Sequence, residues 1–132
     1  MTPDLHWLTL TLAATALFWL PYVLNRMLVR GLMGTMANPA PHDAPLAAWA
    51  QRAQRAQTNA VENLVVFAPA VFVVHLLARQ DALTGIACEL YFFSRLIHYI
   101  VYTAGIPVLR TLAFFGGWAG VAILLGRLLG LL

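Results

Sequence analysis

The chain has 132 residues, of which 61% are hydrophobic and only 10% charged, against roughly 25% charged in an ordinary soluble domain, and its mean hydropathy is +0.78. Those figures exclude a soluble globule, because a domain of about 150 residues still leaves roughly a third of its chain surface exposed. They also exclude a disordered chain, which is poor in apolar residues. The net charge of +3 rests on eight arginines with no lysine, spread along the chain instead of clustered in the basic stripe that a nucleic-acid surface needs. A single cysteine, Cys88, rules out an internal disulfide framework and a cysteine-based zinc site.

The solvent implied is lipid, and a transmembrane helix needs about 20 predominantly apolar residues. The first such segment is Leu5 to about Val29, with a kink expected at Pro21. No basic region precedes it, as a secretory signal would require, so it reads as a retained span. A Gly/Pro/Asn-rich stretch from Gly31 to Pro45 reads as a loop. The second helix starts near Leu46, is amphipathic to Asn63, and turns wholly apolar to Leu77 apart from Pro69 and His75. Arg79-Gln80-Asp81 is so short a turn that the helices on either side must be antiparallel neighbours. The third helix runs from about Ala82 to Ala104 and carries Glu89, Arg95 and His98; Gly105-Ile106-Pro107 ends it. The fourth runs from about Val108 to Leu131, with Gly116 and Gly120 forming a GxxxG that permits close helix contact. The fold class is therefore all-α: a polytopic membrane protein, a four-transmembrane-helix bundle forming one domain over 1–132. Both termini fall on one side. Arg26, Arg30, Arg52 and Arg55 flank the first loop and Arg110 opens the last helix, so the positive-inside rule sets those connections in the cytoplasm and both termini outside it. Arginine-only, alanine-rich usage points to a bacterial inner membrane.

An ionisable side chain within a span costs about 2.5–3.5 kcal/mol on insertion scales, so each needs a reason. Arg52, Arg55, Asn59 and Glu62 are spaced by three, four and three residues, which keeps them within an arc of about 80° on one helix. Tyr91, Arg95, His98 and Tyr102 likewise share a face of the third helix, and Arg110 and Thr111 open the fourth. These groups converge at one membrane depth. Several guanidiniums demand an anion, and their forks match carboxylates. Asn59 suits an amide and Glu62 an ammonium, so the complement is a small peptide-like anion. A thiol carried by that anion would be acidified beside arginine, and the thiolate is the nucleophile. Read blandly, the boundary arginines are topology anchors, Glu62 pairs with Arg55 or Asn59, and His98 and His75 are packing residues. Trp7, Trp19, Tyr22 and Trp118 read as interface or lipid-facing aromatics.

Arg52-x-x-Arg55-Ala56-x-x-Asn59-x-x-Glu62, then Arg95-x-x-His98-x-x-x-Tyr102, then Pro107 and Arg110-Thr111 together resemble the MAPEG family, the membrane-associated proteins in eicosanoid and glutathione metabolism. The resemblance implies a homotrimer of four-helix protomers with glutathione held between neighbours near the cytoplasmic face. It assigns glutathione contacts to Arg52, Arg55, Asn59, Glu62, Arg95, His98 and Tyr102. It gives Arg110 the thiolate-stabilising role, with Thr111 as a hydroxyl donor where the family has serine. The implied partners are glutathione, a lipophilic electrophile from the bilayer, and lipid, and no metal is needed. The sequence departs from the family at Thr58, where some enzymes are basic, and at Phe114, where a tyrosine is replaced. The connection from Tyr102 to Arg110 is also about one residue shorter than in prostaglandin E synthase. Two other readings stand beside this one. The first is a non-catalytic lipid-binding or scaffold protein on the same fold. The second is a haem carrier using His75 and His98, whose positions toward opposite ends of their helices suit a single haem poorly.

Overall fold

The computed structural model describes residues 1–132. Five helical segments follow one another: α1 (Pro3–Leu17), α2 (Leu20–Met36), α3 (Ala48–Leu76), α4 (Ala82–Ala104) and α5 (Pro107–Leu129), with no strand. Segments α1 and α2 form one apolar stretch of 34 residues bent at its middle, so the bundle has four legs, as the hydropathy requires. The bend falls at Phe18–Trp19, earlier than Pro21 itself. Proline lacks the N–H that would bond back to residue 17, and its ring crowds that carbonyl, so the helix yields on the N-terminal side. Tyr99 of α4 secures the bend by donating its hydroxyl to the Phe18 carbonyl at 2.8 Å, with the two rings stacked 4.0 Å apart.

The loop expected from Gly31 begins only at Ala37. Gly31 does break the helix, at φ 70° and ψ 172°, but as a single residue after which helix resumes. The rest of the loop is tied down. Arg30 pairs with Asp43 at 3.4 Å and donates to the Ala44 carbonyl, while buried Asn25 accepts from the Ala47 amide at 3.0 Å. Capping residues fix the other boundaries. Asp81 and Thr84 form a reciprocal capping box at the start of α4. Pro107 opens α5, and Gly105 and Gly130 end α4 and α5 in the left-handed conformation.

The joined α1–α2 stretch, α3 and α5 are each long and apolar enough to cross a membrane. Helix α4 falls short of that apolarity because it carries Glu89, Arg95 and His98, and like α3 it packs against all three other legs. Its 23 residues still reach across a hydrocarbon core of about 30 Å at 1.5 Å per residue. Stacking of Phe67 on Tyr91 and the Asn59–Arg95 bond run α3 antiparallel to α4. Gly117 against Arg95 and Gly120 against Tyr91 do the same for α5. Pro3 against Gly85 and Phe18 against Tyr99 make α1 parallel to α4.

Two ends result. At one, Arg52 donates to the Thr103 carbonyl at 2.9 Å and packs on Gly105, joining the start of α3 to the α4–α5 turn. At the other, Arg79 donates to the last carbonyls of α5 and Arg127 pairs with Asp81. Both termini lie at this second end. The core has two parts: Leu8, Phe67, Val71, Val74, Cys88, Tyr91 and Leu124 around the middle, and Phe18, Ala53, Ala56, Ala60 and Tyr99 nearer the first end.

Candidate functional site

The arc of four polar residues on α3 is split by its neighbour. Ala50, Ala53, Ala56 and Ala60 are buried to 4% exposure or less and form the ridge on which α1 and α4 rest. Arg52 and Asn59 border that ridge and are half-buried, whereas Arg55 and Glu62, some 60–80° round the helix by its 100° per residue, are exposed. Glu62 pairs with neither Arg55 nor Asn59, since the ion pairs of the chain are Arg30–Asp43 and Arg127–Asp81.

Arg95 is 4% exposed. Its Nη2 donates to Asn59 Oδ1 and lies 3.2 Å from His98 Nδ1, while its Nε is enclosed without a partner. The guanidinium carbon sits 5.9 Å from the centre of the Phe114 ring. Room for this long side chain comes from α5: a Cβ on Gly117 would stand 3.1 Å from Arg95 Cδ. The glycines of α5 therefore serve two purposes: Gly117 makes room at the site, while the GxxxG pair serves the packing, with Gly116 facing Ser94 and Gly120 facing the Ala87 carbonyl.

In front of Arg95 lies a cleft of about 270 Å³ between α3, α4 and α5, lined by Asn59, His98, Tyr102, Arg110, Thr111, Phe114 and Phe115. The Arg110 guanidinium carbon stands 4.7 Å over the Tyr102 ring, in cation–π contact. Thr111 donates its hydroxyl to the Pro107 carbonyl at 3.1 Å. No carboxylate lines the cleft, so two guanidiniums, one in the wall and one behind it, face it uncompensated. Phe114 and Phe115 make the α5 side apolar, and Phe115 is exposed on the bundle surface.

Five of the nine residues singled out in the sequence thus line one cleft: Asn59, His98, Tyr102, Arg110 and Thr111. Arg95 backs it, Arg52 straps the helix ends together, and Arg55 and Glu62 face outward. The chain matches the family model described as the MAPEG family over residues 6–130. It belongs to the MAPEG family. That match spans all four legs, so it covers the cleft and the outward Arg55–Glu62 face alike, and it makes the chain a membrane protein of the eicosanoid and glutathione metabolism group. No curated protein and no solved structure matches it closely enough to give a nearer comparison.

Within this MAPEG protein, pattern reading did not reach Phe115, the place of Gly117 against Arg95, or the Arg95–His98 link. The glycine carried a signal, the GGxxG run on α5, but nothing in sequence says which helix meets it. Two of the aromatics expected at the interface or the lipid face also make contacts within the bundle. Trp7 packs against Phe92 and Phe93, and Tyr22 donates its hydroxyl to Gln57. Trp19 and Trp118 are exposed as expected.

Proposed function

We propose that this protein binds glutathione in the cleft between α3, α4 and α5 and acts as a glutathione transferase or peroxidase-type enzyme on a lipophilic electrophile. The observation that carries this reading is the pair of guanidiniums, Arg95 and Arg110, at one cleft with no carboxylate on its walls. A cleft so charged recruits an anion, and a guanidinium beside a thiol favours the thiolate. Arg110 stabilises that thiolate, which attacks the electrophile; Asn59 and Tyr102 hold the tripeptide; Phe114 and Phe115 border the side from which an apolar substrate arrives through the bilayer. Arg55 and Glu62 are polar, exposed and unpartnered on a helix that continues into apolar residues. A homotrimer covers them, with a neighbouring protomer closing the outer half of the glutathione site. The first loop and the α4–α5 turn face the cytoplasm, because the arginines gather there.

The test is calorimetric titration of glutathione into the detergent-purified protein, repeated with Arg110→Ala and Arg55→Ala. Saturable binding weakened by either substitution supports the reading. Well-folded protein that takes up no glutathione overturns it and leaves a non-catalytic lipid-binding or scaffold role.

A further inference from the structure

Thr111, the hydroxyl expected to donate to a thiolate, spends its hydrogen on the Pro107 carbonyl one turn back. Another neutral donor stands in the same cleft. A guanidinium has only donors, so the 3.2 Å contact between Arg95 Nη2 and His98 Nδ1 makes Nδ1 the acceptor. The ring is then uncharged and carries its one proton on Nε2. That atom bonds to nothing in the protein and is not among the enclosed polar atoms, although the residue is 3% exposed; it opens onto the cleft that His98 lines. Arg95 is held beside the ring by its other contacts. Asn59 Oδ1 accepts from the same Nη2, the Asn63 amide donates in turn to that Oδ1 at 3.4 Å, and the arginine stem packs on Gly117, where a Cβ would stand 3.1 Å from Cδ.

We propose that His98 Nε2–H donates a hydrogen bond to the glutathione thiolate, and that Arg95 is a positioning residue that fixes His98 in the tautomer able to do so. The inference rests on the glutathione reading above and deepens it. His98 is favoured over the hydroxyl of Tyr102 by its surroundings. It is enclosed, with the Phe114 ring 6.4 Å from its own, on the side where an apolar electrophile meets the sulfur. Tyr102 is half-buried beneath Arg110, at the polar end suited to carboxylates. A hydrogen bond to an anion is also worth more in the water-poor position.

Two measurements test it on the full chain in detergent. Nitrogen NMR of protein labelled with 15N-histidine, with His98 assigned by its loss in His98→Gln, should show that ring protonated on Nε2 and bare on Nδ1. In Arg95→Met the Nδ1–H form should appear. A wild-type His98 protonated on Nδ1 overturns the proposal with no glutathione present. In the second measurement, the ultraviolet absorbance of the thiolate is followed at neutral pH as glutathione is added, alongside kcat and KM with a lipophilic electrophile. His98→Phe should lower the thiolate signal and kcat by about 10- to 100-fold, the range for a hydrogen bond to a charged group, while KM for glutathione stays within a few-fold. His98→Gln, which keeps a neutral N–H, should recover most of the loss, and Tyr102→Phe should act mainly on KM. A wild-type thiolate signal that survives His98→Phe, or is lost in Tyr102→Phe instead, overturns this proposal alone. A wild type that gives no thiolate signal on glutathione addition, in a protein that binds glutathione calorimetrically, overturns it as well. Absence of any glutathione binding overturns the wider reading with it.

Discussion

Arg95 shows how one side chain ties packing to chemistry. A guanidinium near the middle of a membrane span survives there by making hydrogen bonds and by lying inside the bundle instead of against lipid. Here Asn59 and His98 supply the partners and a glycine supplies the room. Asp81, outside the spans, is the opposite case of a carboxylate held in its charged form. The Thr84 amide, followed by Arg127, draws its carboxyl below the usual carboxylate range. A lowered folded-state pKa means that the stabilisation is present at neutral pH and is lost as pH falls through the folded value, below the ordinary carboxylate range. Asp81→Asn should keep the cap on α4 and remove the Arg127 pair. Thermal unfolding of that variant in detergent should therefore lose part of the acid sensitivity seen in the wild type while staying closer to it at neutral pH than Asp81→Ala does.

At the scale of elements, the site depends on how closely α5 approaches α4. The glycines do not contribute equally, because what faces each one differs. A Cβ on Gly120 would stand 2.7 Å from the Ala87 carbonyl oxygen, a backbone atom that moves only if the helix does. A Cβ on Gly116 would meet the Ser94 hydroxyl, the free end of a small side chain that can rotate away. Gly120→Ala should therefore destabilise the bundle by about 1–3 kcal/mol, as overpacking does, and Gly116→Ala by clearly less; melting temperatures of the two variants in one detergent provide the comparison. Equal effects would mean that the helices separate as rigid bodies in both. The bend between α1 and α2 belongs to this scale too. Pro21 weakens the helix, and Tyr99 on α4 takes up the Phe18 carbonyl at the bend.

The whole molecule is a bundle whose two ends differ in kind. One end gathers the cleft, the strap of Arg52 and the folded first loop; the other closes with Arg79, Asp81 and Arg127. On the orientation proposed above, single cysteines at His42 and Gln80, placed in a Cys88→Ser background, should label from the cytoplasmic and the opposite side respectively in sealed vesicles. Labelling of both from one side would overturn the up–down arrangement, and a reversed pattern would overturn the orientation alone.

Much of this was legible in the chain. Hydropathy and the proline–glycine punctuation determined four legs, their antiparallel succession and most of their limits, because a bilayer allows little else than helices with their backbone bonds satisfied internally. The spacing on α4 also determined that Tyr91, Arg95, His98 and Tyr102 share a face, since helical periodicity is local. Tertiary structure decided what each face meets. An arc of about 80° on α3 straddles the edge of an alanine ridge, so Arg52 and Asn59 turn inward and Arg55 and Glu62 outward; no spacing rule locates that edge. Likewise Tyr91, in register with the cleft residues, stacks on Phe67 in the core, and Thr111 turns back on its own helix. Periodicity orders side chains around one axis, whereas the depth and rotation of neighbouring helices depend on contacts between residues far apart in sequence. Those contacts decided that Arg95 stands behind the cleft and His98 within it.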